Sequence, residues 1–321
     1  MGFDVTDLAG ISEPAKKLIK EVSNGIGSVF RPRVMRKEAD AKAYEIRTIA
    51  AAEADAHIVK ARGQNQAEME RINYLASGDQ ELIERARIRL LTHEVVGQLN
   101  VEAIAEQALL SLPEAVSDKP VADDWRRKFF LGAENICDQD LQFLWGKVLA
   151  GEVASPGSYS LRTLEVLKHL SKEEAEIFRQ ACCLAFRDGW IMKPDNDINT
   201  SLKSYGLKYD AFLTLRDAGL MYEGDTLVKD LSSVPNLPSV VFFNNGIYMQ
   251  LSGPTLQQQQ IPSLPFTRAG KELQNLLEAN PCMPYLQSVA TYFRARGLTV
   301  KKGTQKTDEA GQPVLTFEEE F

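Results

Sequence analysis

A proline-free stretch rich in alanine and charged residues, residues 38–75, constrains the fold of this chain most. Its helix propensity is high except at Gly63. Small and aliphatic side chains recur there at helical spacing and form one narrow stripe: Ile46, Ile49, Ala52, Ala56 and Val59. Such a stripe predicts a long helix over residues 38–78 that packs closely on another helix. We expect self-association through it in a homo-oligomer, although the stripe falls short of four clean coiled-coil heptads.

The preceding segment, residues 14–37, is basic and amphipathic in a chain whose net charge is −7. It carries seven basic residues and one acid, Glu21, and Pro14 predicts the start of a helix. Its apolar face and cations suit contact with an anionic membrane surface or a protein partner, through Lys16, Lys17, Leu18, Lys20, Val22, Ile26, Phe30, Arg31 and Arg33. The alternative is docking onto the protein's own core or a partner subunit, the commoner role of such helices.

Four regions follow from these patterns: 1–37, 38–78, 79–192 and 193–321. The third predicts a compact helical domain, because apolar positions recur at helical intervals, including 82–91 and 95–112. The candidate helix caps in this domain are Asp138, Asp140 and a capping box formed by Ser171 and Glu174.

Helix and strand signals alternate in the last region, so the fold class we predict is mainly α with a small α+β C-terminal module. Two β-rich runs flank Asn244-Asn245-Gly246, a strong hairpin signal. Other expected elements are a helix near 208–218 ending at Gly219, a loop over 253–265, helices at 267–279 and 284–296, and a frayed end at Glu318–Glu320. The order of the elements resembles a winged helix.

Charge and cysteine content restrict the class of protein. The net negative charge argues against a dedicated nucleic-acid binder. The four cysteines contain no CxxC pair, which indicates reduced, mostly buried thiols in a reducing compartment. The N-terminus lacks the features of a secretory signal, and no run of ~20 apolar residues occurs. We therefore expect a soluble cytoplasmic protein, at most peripheral on the inner membrane.

No catalytic template fits the sequence. It has no GxxxxGK[ST] loop and no HExxH pair, and its three histidines lie far apart: His57, His93 and His169. We expect no catalytic residue, no metal and no cofactor. One alternative is a hydrolase that uses three acids beside an aromatic cluster: Glu134, Asp138 and Asp140. Helix capping explains the same acids more simply.

A family resemblance rests on residues 125–178, which include Trp125, Phe129-Phe130, the run Leu144–Glu152 and the run Pro156–Leu164. This part of the chain resembles the uncharacterised bacterial domain-of-unknown-function family 2806, and the likeness extends over most of the chain. Its signature residues are Trp145, Glu152, Pro156, Gly157, Ser160 and Arg162. We expect Trp145 in a core, a tight turn at Pro156-Gly157, a helix cap at Ser160, and an ion pair between Glu152 and Arg162. The family has no established activity, so the resemblance supplies no catalytic residues.

Two looser resemblances concern the N-terminal part. Residues 14–32 resemble the start of abortive-infection alpha-type proteins, which are linked to phage resistance, and residues 38–75 look like the coiled-coil arms of membrane-scaffolding band-seven proteins. We therefore predict a non-catalytic, self-associating interaction protein, a scaffold or sensor component in bacterial stress or phage defence. The alternatives are a winged-helix DNA-binding regulator and the acid-dependent hydrolase.

Overall fold

Two units make up the chain in the computed structural model, Met1–Pro156 and Gly157–Phe321. The structure describes residues 11–28, 30, 32, 80–194, 202–224, 227–232, 238–277, 279–307 and 313–320. The boundary between the units falls inside residues 79–192, the region predicted to be one helical domain. The division into four regions stays a prediction, and the long helix predicted over 38–78 lies outside the described residues.

The described part of the N-terminal unit contains four helices: α1 (Glu13–Ile26), α2 (Gln80–Leu110), α3 (Asp123–Ala133) and α4 (Gln139–Ala154). α2 packs along α4, and α1 contacts the other three helices. The predicted cap at Asp138 is confirmed, because its carboxylate accepts hydrogen bonds from the backbone N–H groups of Asp140 at 3.0 Å and Leu141 at 3.2 Å.

Aromatic side chains fill the core of this unit, as the resemblance led us to expect for Trp145. Its side chain is fully buried, and its ring centroid lies 5.0 Å from that of Phe129. The next residue, Gly146, lets α2 approach α4. A Cβ at Gly146 would lie 2.5 Å from the Cβ of Gln107 and 2.9 Å from the backbone nitrogen of Ala108. Any side chain at position 146 would therefore push the two helices apart.

The C-terminal unit combines helices and strands. Its described helices are α5 (Leu161–His169), α6 (Lys172–Leu184), a short 3₁₀ helix (Lys203–Tyr205), α7 (Tyr209–Asp217), a second 3₁₀ helix (Leu256–Gln258), α8 (Arg268–Gln274) and α9 (Met283–Arg294). Its described strands are β1 (Trp190–Met192), β2 (Leu227–Asp230), β3 (Ser239–Asn244), β4 (Ile247–Ser252), β5 (Gln260–Pro265), β6 (Thr299–Thr307) and β7 (Pro313–Glu320). The predicted combination of a helical N-terminal part with an α+β C-terminal part is confirmed.

Two antiparallel sheets lie in the described part of this unit. The first has three strands in the order β1-β5-β2, with Ile191 opposite Leu264 and Val228 opposite Pro262. The second has four strands in the order β3-β4-β6-β7, and α9 packs against β6.

Local turn and cap predictions hold in this unit. Asn245 and Gly246 join β3 to β4 with φ angles of 44° and 92°, the pair of positive values that a type I′ hairpin turn requires. The capping box is also present: the Ser171 hydroxyl accepts from the backbone N–H of Glu174 at 3.2 Å, and the Glu174 carboxylate accepts from that of Ser171 at 2.7 Å.

Two predictions about the C-terminal part are wrong. Residues 253–265 do not form a loop throughout, because their last six residues form β5, the central strand of the first sheet. Pro262 has no N–H to donate, but its carbonyl accepts from the backbone N–H of Lys193 at 2.9 Å and so keeps one contact of the ladder. The Glu318–Glu320 segment is not frayed, since it belongs to β7, which pairs with β6.

The four cysteines are free thiols, as predicted. They are less buried than expected, however: Cys182 is buried, Cys183 and Cys282 are half-buried, and Cys137 is exposed. Burial raises the pKa of the Cys182 thiol well above its ordinary value, so it remains protonated at neutral pH. None of the helices in the described part of the chain combines the length and apolar composition that a membrane span requires.

Candidate interaction surface

The first half of α2 exposes an unusual amount of apolar surface. Every residue from 81 to 96 is exposed, and Gly97 is the first buried residue after them. Eight large apolar side chains in this half and just beyond it are 39–61% exposed: Leu82, Ile83, Ile88, Leu90, Leu91, Val95, Val96 and Leu99. Scattered exposed apolar residues are normal on protein surfaces, whereas a contiguous group of this size marks an interaction site.

The second half of α2 holds the helix to its own unit. It buries the side chains of Val101, Ile104, Ala105 and Ala108. Asn100 adds polar contacts: its amide donates to the backbone carbonyl of Glu134 at 2.8 Å, and its side-chain oxygen accepts from Gln142 Nε2 at 3.2 Å. The exposed half therefore continues from a firmly packed base.

Four of the exposed side chains share one face of the helix. Ile88, Leu91, Val95 and Leu99 follow one another at spacings of three and four residues, and we call this set the α2 stripe. Arg87 and Glu94 lie seven residues apart on one flank of the stripe. The sequence pattern predicted only that these residues belong to helices of a compact domain. One feature of the sequence could have indicated the exposed surface. Apolar residues occupy nearly all sides of the helix between 82 and 99, and a single packing face cannot cover all of them.

The apolar face of α1 is already covered by its own unit. Leu18 and Val22 have no exposed surface, and Phe30 is only 2% exposed. A Cβ at Gly25 would lie 2.0 Å from Cε2 of Phe130, which shows how closely α1 approaches α3. Three of the predicted contact residues are therefore buried: Leu18, Val22 and Phe30. They could reach a membrane or a partner only if α1 detached from the unit.

Polar contacts fasten α1 in the same place. Lys17 Nζ donates to the backbone carbonyls of Ser117 at 2.5 Å and Val153 at 2.7 Å. Burial lowers the pKa of Lys17, although the nearby carboxylates of Glu21 and Asp118 offset part of this effect. Glu21 is itself buried and pairs with Arg126 at 2.7 Å. Docking onto the protein's own core is thus the arrangement that α1 adopts.

The remaining residues of the predicted N-terminal contact set differ in their surroundings. Lys16 pairs with Glu13 at 2.7 Å, Lys20 is exposed and Ile26 is half-buried. Arg31 and Arg33 lie outside the described residues. So does the whole predicted self-association stripe: Ile46, Ile49, Ala52, Ala56 and Val59.

Asp138, one of the three acids considered for hydrolysis, has a structural role. Asp138 caps α4, as described above, while Glu134 is half-buried and Asp140 exposed. The neighbouring aromatic residues pack on one another, with Trp125 stacked on Phe129 at a centroid distance of 5.0 Å. In the part of the chain that the structure describes, no group of three His, Cys, Asp or Glu side chains is arranged to hold a metal ion.

The family-signature residues have mainly structural surroundings. Pro156 is half-buried, and Gly157 has a φ of 93°, the left-handed conformation that glycine adopts readily in a tight turn. Ser160 caps α5, as predicted, by accepting from the backbone N–H of Thr163 at 3.3 Å. Glu152 is buried in the N-terminal unit and Arg162 is exposed on α5, and an ion pair between them stays a prediction.

A residue that was not predicted from the sequence, Glu272, completes this cap. The Glu272 carboxylate accepts hydrogen bonds from the backbone N–H of Ser160 at 2.7 Å, from the Thr163 hydroxyl, and from Arg268 Nε at 2.7 Å. Burial opposes its ionisation, but these hydrogen bonds outweigh burial and hold the pKa of Glu272 below its ordinary value. Because 112 residues separate Ser160 from Glu272, no local pattern indicates this contact.

A second exposed surface lies on α7 and beside it. Tyr209 and Leu213 are exposed on the helix, and Tyr222 is exposed just after it. Two acids, Asp210 and Asp217, are exposed on the same helix. Lys208, at the N-cap of α7, is also exposed. The outer face of α7 therefore combines aromatic, aliphatic and acidic groups.

Comparison with known families gives a match that includes most of the exposed half of α2 and the whole of the surface on α7. The family described as a protein of unknown function, DUF2806, matches residues 84–290, which is more than half of the chain. The chain belongs to the DUF2806 family. The match begins at Glu84 within the exposed half of α2 and ends at Ala290 in α9. No curated protein and no solved structure matches this DUF2806 protein significantly.

Proposed function

We propose that this DUF2806 protein is a non-catalytic interaction protein, a scaffold or sensor component, that self-associates through the exposed half of α2. The observation that carries the proposal is the group of eight large apolar side chains between Leu82 and Leu99. Full burial of one such side chain stabilises by roughly 1.5–3 kcal/mol, so each of these half-exposed residues contributes about 1 kcal/mol on being covered. Covering several of them in two copies supplies enough free energy to offset the cost of association.

The test is the molar mass in light scattering at micromolar concentration. The wild-type chain should have the mass of two or more copies. The double variant Leu91→Lys with Val95→Lys should be monomeric, because it places two charges in the α2 stripe. Leu131→Lys in α3 is a matched control, since Leu131 and Leu91 are both 56% exposed. A wild-type chain that is monomeric throughout this range contradicts the proposal.

A second candidate, the winged-helix DNA-binding regulator, is favoured by the topology of the first sheet. α6, β1, the first 3₁₀ helix, α7, β2 and β5 follow one another along the chain, and the last strand lies in the middle of the sheet. That order supports a winged helix with α7 as its recognition helix and β3–β4 as an insertion in the wing. The acids Asp210 and Asp217 on α7 oppose phosphate contact, so a protein partner suits this helix better than DNA.

Fluorescence anisotropy with a labelled DNA duplex separates these alternatives. A DNA-binding regulator should bind at low salt, lose affinity steeply as salt rises, and bind more weakly after Lys208→Glu. The Lys203→Glu variant, which changes an exposed cation of the preceding 3₁₀ helix, tests whether an effect is specific to α7. Absence of binding at low salt removes the DNA-binding candidate.

The cellular setting and the location belong to the same proposal. A role in stress or phage defence rests on the resemblance of residues 14–32, and a cytoplasmic location rests on composition. Association with the inner membrane surface would require exposure of Leu18 and Val22 of α1 and of Phe30 just after it, and all three are buried. The membrane arrangement is therefore a separate state with α1 released.

A further inference from the structure

The charges beside the α2 stripe carry information about its partner. Arg87 and Glu94 have opposite signs and lie on the same flank, seven residues and therefore two turns apart. Glu84 lies on the stripe side of the helix, one turn before Ile88. A partner of the exposed segment must accommodate all three charges as well as the apolar side chains.

We propose that the partner is the same segment of a second copy, crossing antiparallel with a two-fold axis near Leu91. This inference rests on the proposed self-association and specifies its geometry. In an antiparallel pair centred there, Arg87 of each copy lies opposite Glu94 of the other, so two-fold symmetry repeats one ion pair twice. Ile88 and Leu91 of both copies form the apolar centre. The Glu84 residues of the two copies lie at opposite ends of the contact, about 20 Å apart along the helix axis.

A parallel pair fits the same residues poorly. In a parallel, in-register pair, each residue of the stripe faces its own copy. Glu84 would then face Glu84 of the second copy, and Arg87 and Glu94 would lie opposite Thr92 and Leu99 rather than opposite each other. Like charges across a helix interface are repulsive, so charge complementarity favours the antiparallel arrangement.

A charge-reversal cycle on the full chain tests the orientation. Arg87→Glu and Glu94→Arg should each weaken dimerisation about 10-fold or more at low salt, because either change replaces two attractions by two repulsions. The double variant Arg87→Glu with Glu94→Arg should restore dimerisation to within about 3-fold of the wild type, because both pairs re-form with their signs exchanged. Arg89→Glu is the matched control, since Arg89 is also exposed but lies on the other side of the stripe from Arg87 and Glu94.

Sedimentation velocity measures the dimerisation constants, and circular dichroism checks that each variant keeps its helix content. Rescue in the double variant supports the antiparallel pair. If neither single reversal changes the dimerisation constant, or if the double variant dimerises more weakly than the single variants, the antiparallel orientation is wrong although self-association stands. A wild-type chain without any dimer overturns both the orientation and the proposed function.

Discussion

The close approach of α2 and α4 at Gly146 gives a sharp prediction about stability. A methyl group added there would lie 2.5 Å from Cβ of Gln107, 2.9 Å from the nitrogen of Ala108 and 3.0 Å from the carbonyl carbon of Gln107. Two of these atoms belong to the backbone, so relief requires moving a whole helix. Overpacking of this kind costs about 1–3 kcal/mol, and the backbone contact puts Gly146→Ala at the upper end. The higher helix propensity of alanine returns about 1 kcal/mol. We expect a net destabilisation of about 2 kcal/mol.

Gly97 in α2 is the matched control. A Cβ at Gly97 would meet the Cβ of Glu134 at 3.4 Å, an ordinary contact. Gly97→Ala should therefore gain the propensity term and stabilise the N-terminal unit by about 0.5–1 kcal/mol. Both changes are glycine to alanine inside a helix, and they differ mainly in the space around the added methyl group.

Thermal unfolding followed by tryptophan fluorescence distinguishes the two variants. Two of the three tryptophans, Trp125 and Trp145, lie in the N-terminal unit and report mainly on it. For a unit of this size, 1 kcal/mol corresponds to roughly 2–4 °C, so Gly146→Ala should lower the melting temperature by about 4–8 °C and Gly97→Ala should raise it slightly. If Gly146→Ala melts at or above the wild-type temperature, the argument from helix contact is wrong.

Three further predictions concern α1, α8 and the membrane. Glu21→Gln should destabilise the N-terminal unit by about 2–3 kcal/mol in urea unfolding, because Arg126 then loses its buried partner. Asp123→Asn is the control: it alters the exposed partner of the same arginine and should change stability by less than about 0.5 kcal/mol. Glu272→Gln should destabilise the C-terminal unit by about 1–2 kcal/mol. Since the folded pKa of Glu272 is lowered, the contribution of its charge is present above the ordinary pKa of 4.5 and is lost as pH falls through the folded value, so the variant should show a flatter stability profile in acid. In liposome co-sedimentation the intact chain should stay in the supernatant with both anionic and neutral vesicles, because α1 buries its apolar face. Pelleting with anionic vesicles alone would show that α1 detaches.

Local signals predicted the starts of helices and one hairpin. Asp138, Ser160 and Ser171 all cap helices through their own side chains, as expected. The Asn245-Gly246 turn forms where its residue types require positive φ angles. These features depend on contacts within three or four residues, so a single short stretch of sequence contains the whole interaction.

The strand β5 was not predictable in the same way. Its six residues include Pro262 and Pro265, which locally favour a loop, and it becomes a strand because β1 and β2 pair with its two edges. Ile191 and its partner Leu264 are far apart in the chain. Strand pairing over such distances depends on how the unit folds, and composition does not report it.

The candidate site also combines features that short-range sequence patterns predict with features that depend on tertiary packing. The sequence by itself determined that α1 is amphipathic and basic, that α2 is helical and rich in apolar residues, and that Ser160 begins a helix, because periodicity and capping are short-range properties. Only the tertiary structure decided which apolar faces are covered. α1 buries Leu18 and Val22 against its own unit, while Leu91 and Val95 on α2 remain exposed. Both helices present apolar surface in the sequence, and the difference between core and interface arises from packing between residues that are distant in the chain.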